Sequence, residues 1–574
     1  MPHTARALRA VTGTEVTPPA TDTTPAPGHP GPVTYPAGAS GRPVLRVGES
    51  PDTIRVLTAA LDNGIIPNTY VTDGAPVVVE EVSGAADPTA GDDDVVLPLS
   101  ISVLKPGLLA GLLADHTEVL RPKPTRGGGV EDEEISPAGP ELTAVLSRRT
   151  WPGLPVLRRI ISTPVLRPDG TLLQTPGYDE STGFYLADTG HLEQIPDRPT
   201  PEQVEQARGF LLGTFLRDFP WRSAADRANY LALLVTPLIR PFTRSLSPFG
   251  MIEASMPGSG KTILAGCVGL LVGQRVLTWT DSEDELRKSI TTVLADSVGV
   301  VVFDNLAEGE VVNSAVLARL VTERTWSDRR LGTNSAATFA NDRLWLATGN
   351  NLRTGGDMAS RAVWVRLDPD CPRPEARTGF TIPNLDSWIL DPANRATVLR
   401  HVLILVLDWT ANGAPMAKGV PQMRQFTRWA QYLGGFLAHH GVDGFLDNAD
   451  DGRALDDDAG EWRQFLLKWH ALHGGNPMSA QQIRASAEVE FGVTDPWAGS
   501  FPTTNAGKLI PSKSLGRRLT GQIDRWRGDV VLRSAMDPHL NCKTYWVHHE
   551  DTDDDSPRKP PEETRKPANP QKIF

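Results

Sequence analysis

The stretch Met251-Ile-Glu-Ala-Ser255-Met-Pro-Gly-Ser-Gly-Lys-Thr262 decides the fold of this chain. An apolar run at 249–254 enters a glycine-rich loop, and an apolar helical pattern follows at 263–272. This order predicts a P-loop, whose backbone N–H groups surround phosphates while its lysine reaches the β- and γ-phosphates and its hydroxyl binds Mg²⁺. Ser255 replaces the first glycine of the pattern, and the apolar flanks argue against a chance match. The residues expected to hold the phosphates are Pro257, Gly258, Ser259, Gly260, Lys261 and Thr262.

Length, charge and cysteine content limit the classes of protein to which the chain can belong. At 574 residues, it is expected to contain several domains of about 100–200 residues each. Its net charge of −12 excludes a uniformly basic nucleic-acid-binding surface but permits a local basic channel. The cysteines Cys267, Cys371 and Cys542 lack the spacing of a zinc site or a disulfide framework, which favours a reducing cytoplasm. No apolar run approaches the ~18 residues that span a bilayer, so we expect no membrane partner.

Changes in composition and periodicity predict seven regions. These are a disordered tail at 1–45, an N-terminal α/β module at 46–190, a helical lead-in at 195–247, a core at 248–370, a helical lid at 371–450, a winged-helix-like domain at 455–548 and a disordered charged tail at 549–574. Within them we predict a linker or mobile loop at 122–140, short strands joined by tight turns at 164–186 and a helix at 224–237.

The region after the P-loop alternates strands with helices, which predicts an α/β fold with a parallel sheet. The nearly continuous apolar run at 298–303 is typical of a buried parallel strand, and Asp304 follows it. An acidic residue in this position is expected to hold the hydration shell of Mg²⁺, as a Walker B residue does. A second buried strand at 344–348 leads to Asn350. Because parallel sheets bind ligands beyond the carboxyl ends of their strands, ATP with Mg²⁺ is the expected ligand there.

Six motifs occur along the chain, and together they carry a resemblance. They are the P-loop, Pro-Gly-Tyr-Asp-Glu-Ser-Thr-Gly at 176–183, Asp304-Asn305, Trp-Ser-Asp-Arg-Arg-Leu-Gly at 326–332, Ala-Thr-Gly-Asn-Asn at 347–351 and Arg-Ala-Val-Trp-Val-Arg-Leu at 361–367. The chain resembles AAA+ ATPases of the superfamily 3 helicase type, and more closely the primase/helicase-like ATPases of phages, plasmids and integrative elements. The resemblance extends from about residue 50 to residue 548. It implies an AAA+ core, ATP hydrolysis and a part in DNA replication.

The resemblance also implies roles for residues around the phosphates. Asn350 corresponds to sensor 1, which polarises the attacking water or contacts the γ-phosphate; a simple cap of a strand end is the alternative. Arg361 corresponds to the arginine finger, with Arg353 as competitor and a surface arginine as the alternative. A finger implies a homo-oligomeric ring such as a hexamer. Asn305 stands where most such enzymes have glutamate, so hydrolysis is expected to be slow, with Asn305 orienting the water or Glu308 replacing the base.

Basic residues in two predicted elements are candidate DNA contacts. The resemblance implies a hairpin before sensor 1 that carries a basic residue into the channel of the ring. Arg329 and Arg330 are the candidates, and a surface ion pair with Asp328 is the alternative. Three helices and a hairpin near the C-terminus predict a winged helix. Its third helix carries the basic residues Lys513, Arg517 and Arg518. These residues contact DNA in one interpretation and form the solvated face of a protein-binding domain in the other.

The sequence thus predicts an ATP-dependent motor on single-stranded DNA, a helicase or replication protein of a mobile element. The alternative is an AAA+ switch or scaffold that binds ATP and a partner protein, hydrolyses ATP weakly and does not translocate. Asn305 and the negative net charge favour that alternative, whereas the arginines of the hairpin and the winged helix oppose it. A primase polymerase is a third interpretation, and it rests on Asp92-Asp93-Asp94 alone.

Overall fold

The computed structural model describes most of the chain. The described residues are 34–81, 99–329, 336–369, 371, 373–449, 457–488, 495–503, 508–524, 526–527, 529–537 and 542–549. Several predictions fall outside them: most of the N-terminal tail, the acidic group Asp92-Asp93-Asp94, Arg330 and the charged tail beyond residue 549. The chain separates into two compact units, within residues 1–157 and 158–574. This division falls inside the region 46–190, which we predicted as a single module.

The first unit is a mixed α/β structure. Its strands are β1 (Val44–Arg46), β2 (Thr69–Thr72), β3 (Ala75–Glu81), β4 (Leu99–Val103), β5 (Glu118–Pro124) and β6 (Val130–Glu134), and its helices are α1 (Ser50–Asp62), α2 (Pro106–His116) and α3 (Gly139–Leu146). The strands form two three-stranded sheets, ordered β1-β5-β6 and β2-β3-β4. Apolar residues of all three helices, among them Leu57, Leu109 and Leu142, share one core.

The prediction of a linker or mobile loop at 122–140 is wrong, because this segment contains most of the antiparallel β5–β6 pair. Gly128 has a φ of 81° in the turn, a left-handed value that glycine adopts at no steric cost. Lys123 and Glu133 form an ion pair across the strands at 2.9 Å. Proline and glycine content predicted irregular chain here, whereas Gly128 forms the turn of a backbone-paired hairpin.

The second unit begins with short strands and two long helical segments. These elements are β7 (Arg159–Ile161), β8 (Val165–Leu166), β9 (Leu172–Leu173), β10 (Gly177–Asp179), β11 (Phe184–Leu186), α4 (Pro201–Phe210), which continues as a π-helical turn (Leu211–Phe215), and α5 (Ala224–Thr243). The short strands and tight turns predicted at 164–186 are confirmed. Thr200 caps α4 as a capping box, with its hydroxyl accepting from the Gln203 N–H at 3.3 Å.

Helix α5 continues beyond its predicted end at residue 237 and contains both Pro237 and Pro241. The predicted end was based on the usual effect of proline, which ends a helix by removing a hydrogen bond and clashing with the preceding turn. This prediction was wrong. Here the helix is buried along most of its length, and residues such as Leu238 pack in the main core. Tertiary burial of an apolar helix outweighs the local preference. Arg244 ends the helix in a left-handed conformation, with a φ of 50°.

The core follows α5. Its elements are β12 (Phe249–Ala254), α6 (Lys261–Val272), β13 (Gln274–Leu277), α7 (Glu283–Val293), β14 (Val300–Leu306), β15 (Val311–Val312), α8 (Ala315–Thr322), β16 (Thr325–Arg329), β17 (Ala336–Ala340), β18 (Leu344–Asn350), β19 (Arg353–Thr354) and β20 (Ala362–Leu367). Strands β16 and β17 form the antiparallel hairpin that was predicted before sensor 1.

The central sheet contains five parallel strands in the order β13-β14-β18-β12-β20. The strands β12 and β18 are almost entirely buried, as the apolar runs predicted for strands covered on both faces. Because all five strands point the same way, their last residues meet at one end of the sheet, here called the carboxyl end. Their first residues meet at the opposite, amino end. Strand β18 lies between β12 and β14, so its last residue, Asn350, lies between the P-loop and Asp304.

Helices and a small sheet complete the second unit. They are α9 (Leu385–Trp388), α10 (Pro392–Ala411), α11 (Thr427–His439), α12 (Asp457–His473), β21 (Met478–Ser479), α13 (Ala480–Ala485), α14 (Ser512–Gln522), β22 (Trp526–Arg527), β23 (Val530–Asp537) and β24 (Cys542–His549). Helices α12, α13 and α14 and the β23–β24 hairpin share a separate apolar core, which matches the three helices and hairpin expected near the C-terminus. Of the helices that the structure describes, none has the length and apolar character needed to cross a membrane.

Candidate functional site

The glycine-rich loop joins β12 to α6, and its backbone has the conformation that a phosphate-binding loop needs. Gly258 has a φ of 74° and Gly260 a φ of 95°, both in the left-handed region that favours glycine. A Cβ atom on Gly260 would lie 3.1 Å from the ring of Phe219. Helix α6 begins at Lys261, so its first N–H groups, which have no partner within the helix, are next to the loop. Backbone donors and the helix dipole therefore favour an anion at this point.

Two serine hydroxyls hold the loop in place. Ser255, which replaces the first glycine of the pattern, donates its hydroxyl hydrogen bond to Asp368 Oδ1 at 2.8 Å, just beyond β20. Ser259 donates to the carbonyl of Met256 at 2.6 Å. Ser255 therefore ties the start of the loop to the neighbouring strand.

Lys261 is buried, with only 7% of the residue exposed. Burial lowers the pKa of its ammonium group, and the nearby Asp304 carboxylate acts in the opposite direction. A desolvated ammonium group is stabilised by an anion brought close to it. This environment suits a lysine that receives a phosphate.

Asp304 accepts hydrogen bonds from hydroxyl groups on two different elements. Thr262 Oγ1 donates to Asp304 Oδ1 at 3.2 Å, from the first turn of α6. The hydroxyl of Thr348, on β18, donates a short hydrogen bond to the same oxygen. Thr348 is fully buried, so its hydroxyl has a fixed position. The carboxylate and the Thr262 hydroxyl thus lie together as a pair of oxygen ligands suitable for Mg²⁺.

Asn305 adopts a left-handed conformation with a φ of 56°, at the point where the register between β14 and β18 shifts. Its backbone N–H donates to Thr348 Oγ1 at 2.9 Å, and its side chain is exposed. Asparagine tolerates the left-handed region better than most residues other than glycine. The left-handed backbone at position 305 therefore favours asparagine over the glutamate that the resemblance leads us to expect there.

Asn350 has a buried side-chain oxygen, Oδ1, for which no hydrogen-bond donor is present among the described residues. Its own backbone carbonyl accepts from the N–H of Gly309 at 3.0 Å. Leaving a buried acceptor unpaired costs about 1–3 kcal/mol, so such an atom commonly serves a ligand or an ordered water. Its place at the end of β18 puts this acceptor beside the P-loop and Asp304.

Glu308 also lies at the carboxyl end of the sheet. Its Oε1 accepts from Asn351 Nδ2 at 3.2 Å, and the Asn351 backbone N–H donates to the carbonyl of Ala254, the last residue of β12, at 3.0 Å. Both side chains are exposed. Glu308 lies three residues after Asn305, at the same end of the sheet, and its role as a substitute base stays a prediction.

A cavity of about 240 Å³ lies against the P-loop. The loop contributes Gly258, Ser259 and Gly260 to its wall. Its apolar lining comes from Phe215, Phe219, Ile263, Phe380, Ile382 and Leu385, and its polar lining includes Asp218, Glu375, Arg377, Asn384 and Asp386. Arg377 donates to the Asp218 carbonyl at 2.6 Å and lies 5.2 Å from the centre of the Phe380 ring. These contacts hold the segment 374–386 beside the loop.

The residues present fit a nucleotide and Mg²⁺. Glycines with the required backbone angles, a helix N-terminus and a buried lysine would receive the phosphates. Thr262 and Asp304 would hold the metal ion, and the adjoining cavity offers both aromatic surface and polar groups for a base. The unpaired Oδ1 of Asn350 would be available to accept a hydrogen bond from a water beside the phosphates.

The guanidinium group of Arg361 makes two hydrogen bonds within its own chain. Its guanidinium donates to the carbonyl of Ala318 at 2.7 Å and to Asp357 Oδ2 at 3.1 Å, and 15% of its side chain is exposed. A finger role would require it to leave these partners or to act together with them. Arg353 lies on β19, opposite β15.

Arg329 ends β16, and its side chain is exposed. The alternative that we considered for it, an ion pair with Asp328, is not present among the described contacts. Asp328 instead pairs with Arg287 at 2.6 Å and accepts from Thr291 Oγ1 at 3.1 Å.

The basic residues of α14 occupy one face of that helix. Lys513, Arg517 and Arg518 are exposed, whereas Leu515 and Leu519 are buried in the C-terminal core. The helix is therefore amphipathic, and its basic face is available to a partner.

Sequence reasoning missed two parts of this site. Thr348 is a component of the Ala-Thr-Gly-Asn-Asn motif, but its strand is buried on both faces, so no alternation marks its hydroxyl as a partner of Asp304. The cavity residues of 214–219 and 374–386 carry no motif, because they come together only through tertiary packing.

No protein-family model and no curated protein matches the chain. Solved structures that are similar to it include JCV helicase with a bound acetamide compound, at 14% identity and a TM-score of 0.19, which covers 44% of this chain and 73% of that one. The apo C-terminal region of NrS-1 is similar at 12% identity and a TM-score of 0.33, covering 73% of this chain and 92% of that one. A further structure of JCV helicase is similar at 13% identity and a TM-score of 0.19, over 44% and 72%. At TM-scores this low, the likenesses carry no argument. The structure itself has a five-stranded parallel sheet in the second unit, with the glycine-rich loop at its carboxyl end.

Proposed function

We propose that this chain is a P-loop ATPase of the AAA+ type that acts on DNA, as a helicase or replication protein of a mobile element. The observation that carries the proposal is the meeting of Lys261, Thr262, Asp304 and Asn350 at the carboxyl end of one parallel sheet. ATP and Mg²⁺ are the proposed cofactors.

Each residue has a proposed task in phosphoryl transfer. Lys261 and the N–H groups of the loop neutralise charge on the phosphates, and Thr262 and Asp304 hold the metal ion. Mg²⁺ supplies charge neutralisation between the phosphates when it is bound. Asn350 accepts a hydrogen bond from the attacking water through Oδ1. Since phosphoryl transfer depends mainly on positioning and electrostatics, hydrolysis is expected without a glutamate at position 305, but slowly.

The proposed contact with DNA rests on exposed basic residues. Arg329 lies on the β16–β17 hairpin, and Lys513, Arg517 and Arg518 lie on the exposed face of α14. A ring of identical subunits, with Arg361 or Arg353 contacting the neighbouring site, is the proposed assembly.

The second candidate function is a nucleotide-dependent switch that binds a partner protein. The observation in its favour is Asn305, which offers no carboxylate to accept a proton from water. Such a protein would bind ATP tightly, hydrolyse it weakly and not respond to DNA.

Strand displacement on a forked DNA duplex distinguishes the two functions. Wild type and Lys261→Ala are compared with ATP and Mg²⁺, and ATP hydrolysis is measured with and without single-stranded DNA. We expect unwinding by wild type and its loss in the variant, with hydrolysis reduced by about a hundredfold or more. Tight ATP binding by wild type, with no DNA-stimulated hydrolysis and no unwinding, would favour the switch.

A further inference from the structure

A second cavity, of about 350 Å³, lies at the amino end of the central sheet. We name it the arginine cavity, because five arginines and a single acid are among the residues that line it: Arg158, Arg159, Arg240, Arg244, Arg324 and Asp342. The hydroxyl-bearing residues Ser181, Thr182 and Ser245 contribute to the same wall. One carboxylate cannot neutralise five guanidinium groups, so the cavity carries a large excess of positive charge.

The arginines come from segments that are far apart in sequence. Arg159 begins β7, Arg240 is in the last turn of α5, Arg324 precedes β16 and Asp342 precedes β18. Ala340, the last residue of β17, also lines the cavity. The arginine cavity is therefore at the base of the β16–β17 hairpin, at the opposite end of the sheet from the P-loop.

Two of the arginines are fixed in place by the protein. Arg240 donates to the carbonyl of Asn341 at 2.8 Å and to Ser247 Oγ at 2.8 Å. Arg159 is 6% exposed and donates to the carbonyl of Val298 at 2.9 Å. The Nε–H of Arg159 is buried, and no acceptor for it is present in the described part of the chain. This buried donor in a cationic cavity is one that an anionic ligand would satisfy.

The remaining arginines are free to contact such a ligand. Arg158 and Arg244 are exposed, and among the described contacts their guanidinium groups form neither a hydrogen bond nor an ion pair. Arg324 donates one hydrogen bond, to the backbone carbonyl of Arg244 at 2.8 Å. Rigid inner arginines and unengaged outer arginines together resemble the arrangement with which proteins hold phosphate.

Crowding of like charges is consistent with this arrangement. Burial is the main cause that lowers the pKa of Arg240, to about 10, and the neighbouring Arg159, Arg343 and Arg324 lower it further. Asp342 opposes this effect. A bound anion would offset the same repulsion.

We propose that the arginine cavity binds a phosphate group. The motif Pro-Gly-Tyr-Asp-Glu-Ser-Thr-Gly at 176–183 then has a structural task, because its Ser181 and Thr182 form one wall of the site. Asp179 accepts from Arg167 Nε at 2.6 Å and from the Thr182 N–H at 3.0 Å, which fixes the turn that carries this wall. The phosphate comes either from a DNA phosphodiester that passes the hairpin or from a small phosphate compound. The lining of this cavity shares no residue with the cavity beside the P-loop.

Titration with inorganic phosphate at constant ionic strength, followed by ³¹P NMR line width, tests the proposal. All proteins carry Lys261→Ala, so that the P-loop contributes little. In that background the unaltered cavity is compared with the double variant Arg158→Ala/Arg244→Ala and with Arg198→Ala, an exposed arginine outside the cavity. We expect the double variant to weaken phosphate binding by about tenfold or more, and Arg198→Ala to leave it unchanged.

A second arm identifies the source of the phosphate. If a single-stranded oligothymidylate displaces inorganic phosphate from the unaltered cavity, and this displacement is lost in the double variant, the site is assigned to DNA. If the oligonucleotide leaves phosphate binding unchanged, the site is assigned to a small phosphate compound. Arg244→Lys, which keeps the charge, is expected to recover part of the affinity. The proposal is overturned if the unaltered cavity binds no phosphate. It is also overturned if the double variant binds phosphate as well as Arg198→Ala does, provided that both variants keep the wild-type thermal unfolding curve.

Discussion

The two ends of the central sheet both carry charge, but they carry it in different ways. At the carboxyl end, Lys261 is the first residue of α6 and Asp304 lies near the end of β14, so the backbone of these two elements places them. At the amino end, arginines from three separate segments line a cavity together with Asp342, and only tertiary packing brings them together. A site built on strand ends thus has its charged residues inside local motifs, whereas the arginines of a site built from distant segments share no local pattern.

The largest effect is expected at Asp342, at the amino end of the sheet, because its carboxylate is the counter-ion of several arginines. The pKa of Asp342 is lowered to about 2, and the causes that lower it are Arg159, Arg343 and Arg240, acting against burial. Asp342→Asn should therefore destabilise the fold by about 3 kcal/mol at pH 7, because it leaves buried cations uncompensated. The measurement is the free energy of unfolding in urea.

The same group predicts a pH dependence. Since its folded pKa lies below the unfolded value of 3.8, the charged carboxylate contributes stability above about pH 4 and loses it as pH falls toward 2. The difference between wild type and Asp342→Asn should shrink over that window. Asp296→Asn, which removes the partner of the exposed Arg275, is the control and should change stability by less than about 1 kcal/mol. Equal effects of the two substitutions would contradict a special role for Asp342.

The carboxyl end is tested next at Thr348. Thr348→Val keeps the shape of the side chain but removes the hydroxyl that donates to Asp304 and accepts from the Asn305 N–H. We expect the rate of ATP hydrolysis to fall by about tenfold, because the metal-binding carboxylate loses its fixed position. Thr348→Ser, which keeps the hydroxyl, should remain close to wild type. A valine variant with the wild-type rate would show that Asp304 is held by other means.

The smallest effect is expected at Asn305 and Glu308. If the Asn305 amide orients the attacking water, Asn305→Ala should lower hydrolysis by about threefold to tenfold, and Glu308→Gln should lower it less. Asn305→Gly serves as the backbone control, since glycine accepts a φ of 56° without strain. Full activity in both Asn305→Ala and Glu308→Gln would mean that neither residue orients the water.

The sequence allowed the parts of the fold with strong local patterns to be predicted. The strand β12 has the bounds of the apolar run at 249–254, since buried parallel strands are continuous apolar runs. The bond between Thr348 and Asp304 joins residues 44 positions apart in sequence, so no local pattern indicates it. The β5–β6 hairpin and the two prolines inside α5 were missed because cross-strand pairing and burial outweighed local propensity. The base-sized cavity beside the P-loop and the arginine cavity both depend on packing of distant segments.

Helix α5 gives the two ends of the sheet a common mechanical element. With 20 residues, it has a length of about 30 Å. Near its start, Tyr230 donates to the carbonyl of Leu264 in α6 at 2.9 Å; in its last turn, Arg240 lines the arginine cavity. If an anion in that cavity moves this helix, the affinity of the P-loop for its ligand changes. By thermodynamic linkage, the P-loop ligand must then change the affinity of the cavity for the anion by the same factor. A single helix would then report the occupancy of each end of the sheet to the other.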